Sequence, residues 1–145
     1  HKYIGMGGRL DTLQAAVLNV KLDDYPNDIL RRQSAASKYT SLLKKKGLTP
    51  FVEDHNTSVW AQYSVRVANR DRVQSVLKEK GIPTAVHYPK PLHLQECFSY
   101  LNYKLGDFAV SEKISSEIMS LPMNPYLTNK EQEYICSELL KLITS

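Results

Sequence analysis

Between Leu10 and Leu22 the chain holds a helix-length run that is apolar nearly all the way round. Leu10, Leu13, Val17 and Val20 recur at helical spacing as one stripe, and Ala15, Ala16, Leu18 and Leu22 cover much of the remaining circumference. A helix of this kind is normally buried on several sides. Too little chain precedes Leu10 to supply that cover, so the expectation is a missing domain or a partner subunit. Ahead of it, Gly5-Met6-Gly7-Gly8 delivers Arg9 to the mouth of the helix. Glycine permits positive φ and close backbone approach, which suits a turn held against another surface or an anion. A plain flexible loop before a core helix accounts for the same residues equally well.

The 145 residues fit one domain with a core of ordinary size and leave no room for a second. With 42% hydrophobic and 23% charged residues the composition is that of a soluble globular chain. No apolar run approaches the ~20 residues of a membrane span, so no membrane partner is expected. The chain starts His1-Lys2-Tyr3-Ile4-Gly5, without an initiator methionine or the layout of a secretory signal, and is expected to be an excised or processed piece. Cys97 and Cys136 form no Cys-x-x-Cys pair or disulfide framework, which points to a reducing, cytoplasmic setting with both thiols buried as small hydrophobes. The net charge of +4 raises the question of an anionic partner. Lys44, Lys45 and Lys46, however, fall where a helix would end at Gly47, a position in which cations meet the helix dipole favourably. Nothing interleaves aromatic and basic residues in a stripe, and a nucleic-acid partner ranks last.

Pro26 suits the first turn of a second helix, whose apolar face runs through Ile29, Ala36, Tyr39 and Leu43. Residues 58 to 68 alternate strictly, with Val59, Ala61, Tyr63, Val65 and Val67 on one side, and predict a strand. Asn69 is expected to cap a short helix ended by Gly81, and Ile82 to Tyr88 to form a second strand closed by Pro89 and Pro91. Leu92 to Leu105 reads as a short helix and loop. A helix from Asp107 carries Val110, Ile114 and Ile118, followed by an extended segment at Leu121-Pro122-Met123-Asn124-Pro125 that could be an edge strand. Thr128 and Glu131 form a capping-box pattern before a last helix that buries Ile135, Leu139 and Leu142. The fold class is α/β, a small sheet packed with helices.

The residues offer little self-contained chemistry. None of the four histidines pairs with a cysteine or carboxylate at ligand spacing, so no metal site is expected. There is no nucleophile-elbow serine, and the early glycines lack the lysine and hydroxyl residue of a P-loop. His87-Tyr88 stands at a strand end before the Pro89-Lys90-Pro91 turn. Neighbours on a regular strand point to opposite faces, so only one of the two would reach a ligand unless proline twists the end. On spacing alone the preferred reading is packing, with Tyr88 in the core and His87 at its edge.

Four stretches nevertheless match one family in order: Ile4 to Ala16, Trp60 to Val65, His87-Tyr88-Pro89-Lys90-Pro91-Leu92-His93-Leu94-Gln95, and Leu121 to Leu127. The chain closely resembles the DegT/DnrJ/EryC1/StrS family of pyridoxal-phosphate-dependent sugar aminotransferases, over essentially its whole length. The resemblance implies the aspartate-aminotransferase fold type, with residues 1–145 as the C-terminal small domain, a mainly antiparallel sheet with helices. Residues 1–25 would contact the missing large domain and the partner in a homodimer. Pyridoxal phosphate chemistry needs a Schiff-base lysine and an acidic partner for the pyridine nitrogen. In the family both precede this segment, and no lysine here matches the motif. The segment alone is therefore expected to be inactive, with no catalytic residue of its own and the cofactor held mainly by the absent domain.

Position by position, the resemblance makes Arg9, His87 and Tyr88 substrate-binding residues, and Gly7 and Gly8 cofactor-binding ones. Arg9 would approach the neighbouring subunit's site to grip substrate or an anionic group. Gly7 stands where the family usually has an asparagine that helps hold the cofactor phosphate, a side chain glycine cannot offer, so that either backbone amides substitute, or the cofactor is held more weakly, or the site has decayed. The expected reaction moves an amino group from glutamate to a keto group of a nucleotide-linked sugar, for polysaccharide or glycan synthesis. The contrasting expectation is a degenerate relative that survives as a non-catalytic interaction or regulatory module.

Overall fold

The computed structural model describes residues 2–8 and 10–143; Arg9, to which the sequence assigns a substrate role, lies outside the described residues. Five α-helices and two strands follow in the order α1 (Thr12–Leu22), α2 (Tyr25–Leu43), β1 (Tyr63–Arg66), α3 (Arg70–Glu79), α4 (Ala109–Glu117), β2 (Ile118–Leu121) and α5 (Asn129–Ile143). The strands pair antiparallel, with Tyr63 opposite Leu121 and Arg66 opposite Ile118.

The expected strand over residues 58 to 68 is shorter than its alternation. Trp60 has φ of 49°, in the left-handed region, so extended backbone begins only after it. From Tyr63 onward the period-2 pattern holds, with Tyr63, Val65 and Val67 buried. Val59, which the alternation placed on the inner side, stays 45% exposed, while Trp60 packs against the core with its ring 5.5 Å from that of Tyr63. The expected strand from Ile82 to Tyr88 is reduced to a single bridge, in which Ala85 and Ser120 exchange backbone hydrogen bonds of 3.1 and 2.8 Å. Pro83, the next ladder position before Ala85, carries no amide hydrogen, so the pairing cannot extend in that direction.

The second full strand lies just before the segment expected to be extended. Ile118 leaves α4 and opens β2, and Met119, Ser120 and Leu121 are buried. Pairing on both sides decides this, with β1 along one edge and Ala85 along the other, and it overrides the helical spacing that linked Ile118 to Ile114. Asn69 precedes α3 as expected, but in a left-handed conformation without a side-chain cap.

The core joins α2, α3 and α5 to the strands. Tyr39, Leu43, Tyr63, Leu77, Met119 and Leu139 are fully buried at its centre. Its polar groups are satisfied: the Tyr39 hydroxyl donates to the Pro122 carbonyl at 2.9 Å, and the Gln132 amide donates to the Ala35 carbonyl at 2.7 Å. The Thr128–Glu131 box forms as the sequence predicts, with the Glu131 carboxylate accepting from the Thr128 amide at 2.8 Å. Its hydroxyl and amide hydrogen bonds from Thr128 hold the Glu131 carboxyl below the usual carboxylate range. Gly47 takes φ of 66° after the turn Lys44–Lys46, the left-handed stop expected there. Of the two cysteines only Cys136 is buried; Cys97 is half-exposed.

Candidate functional site: a groove at His87 and Tyr88

The stretch after the Ala85 bridge bends away from the sheet and is followed by two short 3-10 turns, Leu92–Leu94 and Glu96–Leu101. Between its start and α4 lies an open groove of about 440 Å³. His87, Tyr88 and Leu92 form one wall, while Ser111, Ile114 and Ser115 of α4 form the other. Packing in the core, the reading spacing favoured for Tyr88, is overturned: Tyr88 is 71% exposed and His87 is exposed as well. The regular strand that would have sent the two side chains to opposite faces ends at Ala85, and both residues line the same groove. Their rings meet edge to face at 5.9 Å, across a peptide bond in the cis form.

Chemically the groove combines an apolar floor with scattered polar groups. Ile114 and Ile118 supply apolar surface, and the His87 ring, the Tyr88 and Ser111 hydroxyls and the Gln95 amide supply hydrogen-bonding groups. Among the described residues Lys90 is the one lysine or arginine lining it, and no carboxylate does. Apolar lining with a few placed polar groups is the usual composition of a small-molecule site.

The glycine turn does not reach this groove; Gly7 and Gly8 are exposed and line no part of it. Gly5 and Gly8 show neither the positive φ nor the close approach that their residue type permits, because nothing lies within 4 Å of the place a Cβ would take. At Gly5 and Gly8 no described residue lies against the turn. A phosphorylated pyridine cofactor likewise finds no complete cradle among the described residues, where the exposed Lys90 is the groove's single permanent cation. Among the described residues no group of three or more His, Cys, Asp and Glu could hold a metal ion, and no helix is long and apolar enough to cross a membrane.

One pair escaped the sequence reading. His93, 19 residues from Glu112, lies against it with Nε2 and Oε1 2.9 Å apart. No local spacing could reveal a contact between a 3-10 turn and a helix so far along the chain.

The fold around the groove is a known one. The model of the DegT/DnrJ/EryC1/StrS aminotransferase family matches residues 1–140. The chain belongs to this family. A UDP-2-acetamido-2-deoxy-3-oxo-D-glucuronate aminotransferase from Pseudomonas aeruginosa is 46% identical over 140 residues, which is 96% of this chain and 38% of that protein. The crystal structure of a family member from Brucella abortus superposes with a TM-score of 0.82 at 40% identity, covering 98% of this chain and 38% of the other. The DesV protein of S. venezuelae, solved in complex with a ketimine intermediate, gives 0.85 at 30% identity, covering all of this chain and 40% of the other. This member of the family thus spans well under half the length of the relatives it matches. Its fold class is the α/β small-domain portion of a fold-type-I aminotransferase, with a two-stranded antiparallel sheet and surrounding helices.

Proposed function

We propose that this chain is the C-terminal small domain of a pyridoxal-phosphate-dependent aminotransferase that transfers an amino group from glutamate to a keto group of a nucleotide-linked sugar, in polysaccharide or glycan synthesis. The observation that carries the reading is the convergence of His87 and Tyr88, from the motif shared with the family, on one groove that also holds Lys90, Gln95 and Ser111. Relatives that act on UDP- and dTDP-linked sugars support the substrate class. In this reading His87 and Tyr88 orient the sugar by hydrogen bonds from the imidazole and phenol, and Lys90 attracts the diphosphate. Arg9 grips substrate or an anionic group at the partner's site. The backbone amides of Gly7 and Gly8 approach the cofactor phosphate, standing in for the family asparagine at position 7.

The cofactor supplies the electron sink for amino transfer when bound. This chain's part is binding and orientation. Residues 1–25 form the surface that meets the large domain and a second copy, in a cytoplasmic homodimer. The exposure of Leu13, Val17 and Val20 supports this assignment, because contiguous apolar surface of that kind marks an interaction site.

A visible spectrum of the intact protein with pyridoxal phosphate tests the reading, with the 145-residue chain as control. A cofactor band that glutamate abolishes in the intact protein, and that the control lacks, is the expected result. No band in the intact protein would instead favour a non-catalytic interaction module. His87→Ala and Tyr88→Phe should weaken use of the sugar substrate while the cofactor band stays, and Arg9→Ala should lower activity far more than stability. Loss of the band in the first two variants would move those residues to cofactor support.

A further inference from the structure

The groove's far wall is held by a polar pair that plays no part in the roles assigned above. The His93 and Glu112 side chains are only 8% and 15% exposed, and their polar atoms meet at 2.9 Å. The same carboxylate accepts from the Gly106 amide at 2.9 and 3.0 Å and from the Phe108 amide at 3.3 Å. Burial raises the Glu112 carboxyl, but the Gly106 amide, the His93 ring and the Phe108 amide together outweigh it and hold the group below its ordinary value. An ionised carboxylate only accepts, so His93 Nε2 carries the hydrogen and donates. Gly106 itself sits at φ of 101°, a conformation left essentially to glycine, so the turn that aims its amide at Glu112 is specified by residue type.

This part of the chain joins the rest of the domain through polar ties near its ends: the Ala85–Ser120 bridge, the Gln74 amide donating to Thr84, and Arg66 and the Val67 amide donating to Glu117. No described residue from 83 to 118 belongs to the buried apolar cluster that unites α2, α3, α5 and the strands. Within the segment, Phe108 packs on the His93 ring at 4.7 Å and on the Tyr103 ring at 5.1 Å. The neighbours in sequence of the polar pair are Leu92 and Ser111, and both line two spaces at once: the 440 Å³ groove and an adjoining apolar cavity of about 280 Å³. His93 itself lines the second space, so the pair links Leu92 to Ser111 where the two spaces adjoin.

We propose that His93 and Glu112 are positioning residues, whose hydrogen bond ties Leu92, on the wall of His87 and Tyr88, to Ser111 on the α4 wall and so sets the spacing of the two walls and how a sugar ligand fits between them. The inference rests on the proposed function for the identity of the ligand, but not for the mechanical link.

The experiment uses the intact protein, with hydrogen exchange read by peptide, thermal unfolding, and binding of UDP-N-acetylglucosamine as the probe. Glu112→Gln and His93→Leu should each speed exchange in residues 104–112 and 86–95 and weaken probe binding by about tenfold, the scale of losing a hydrogen bond to a charged group. The unfolding midpoint should stay nearly unchanged, because the core cluster lies elsewhere. His93→Gln keeps an N–H donor and should restore most of the binding. Loosening confined to 104–112, a fall in the midpoint that accounts for the binding loss, or equal damage from His93→Gln and His93→Leu would each overturn the proposal. If the unaltered protein fails to bind the probe, the sugar reading falls, and exchange in residues 86–95 alone decides the positioning role.

Discussion

Helices α1 and α5 are both rich in leucine, valine and isoleucine, yet one buries nothing and the other builds the core. In α1, Leu13 is 81% and Val20 76% exposed, whereas in α5 Leu139 is fully buried and Ile135 nearly so. The difference lies in what faces them. The buried positions of α5 fall on one side, and α2 meets that side with Ala35, Ala36, Tyr39 and Leu43 while Lys38 pairs with Glu133 at its edge. The apolar residues of α1 point in nearly every direction, and α2 shields only a small part of them. Apolar content states that a helix needs cover; only a complementary surface supplies it.

Substitutions in the core and in α1 test this difference. Leu139→Ala should cost about 2 to 5 kcal/mol, the range for emptying a packed core site, read from urea unfolding of this chain. High pH should act on the same core. Burial pushes the Cys136 thiol up to about 11 and raises Tyr39 and Tyr63 in the same direction. The Cys136 thiol stays protonated in the folded chain while the unfolded chain releases its proton first, so its contribution is complete below pH 9 and is lost as pH climbs towards 11; that of the two tyrosines is lost only at higher pH. Cys136 by itself should contribute about 2 to 3 kcal/mol of that loss, from 1.36 kcal/mol per unit of pKa difference, measured as the fall in unfolding free energy relative to Cys136→Ala. Tyr39→Phe removes the donor to the Pro122 carbonyl and should cost about 1 kcal/mol. Val17→Ala in α1 should change this chain's stability by less than about 0.5 kcal/mol, as exposed positions do. A cost like that of Leu139→Ala would show that α1 is packed here after all. In the intact protein, Val17→Asp should instead weaken self-association, read by sedimentation.

Much of the fold was legible in sequence because it depends on local rules. The Thr128–Glu131 box, the stop at Gly47, the two opening helices and the buried alternation at Tyr63, Val65 and Val67 each need only a few neighbouring residues. The strand at Ile118–Leu121 was not legible, since helical spacing from Ile114 and ladder pairing with β1 make competing claims on Ile118. The candidate site divides in the same way. The motif at His87-Tyr88 is visible in the chain, but its exposure is not, because spacing alone favoured burial.

From the order of residues alone it follows that α1 is too apolar to stand uncovered, that the chain is an α/β domain, and, through its motifs, which family it belongs to. That His87 and Tyr88 share a groove, and that His93 reaches Glu112 beside it, came from the folded arrangement. Those facts depend on where a bridge ends and how a loop crosses a helix. Contacts between residues far apart in the chain are set by packing and pairing energies summed over the whole fold, which no local pattern contains.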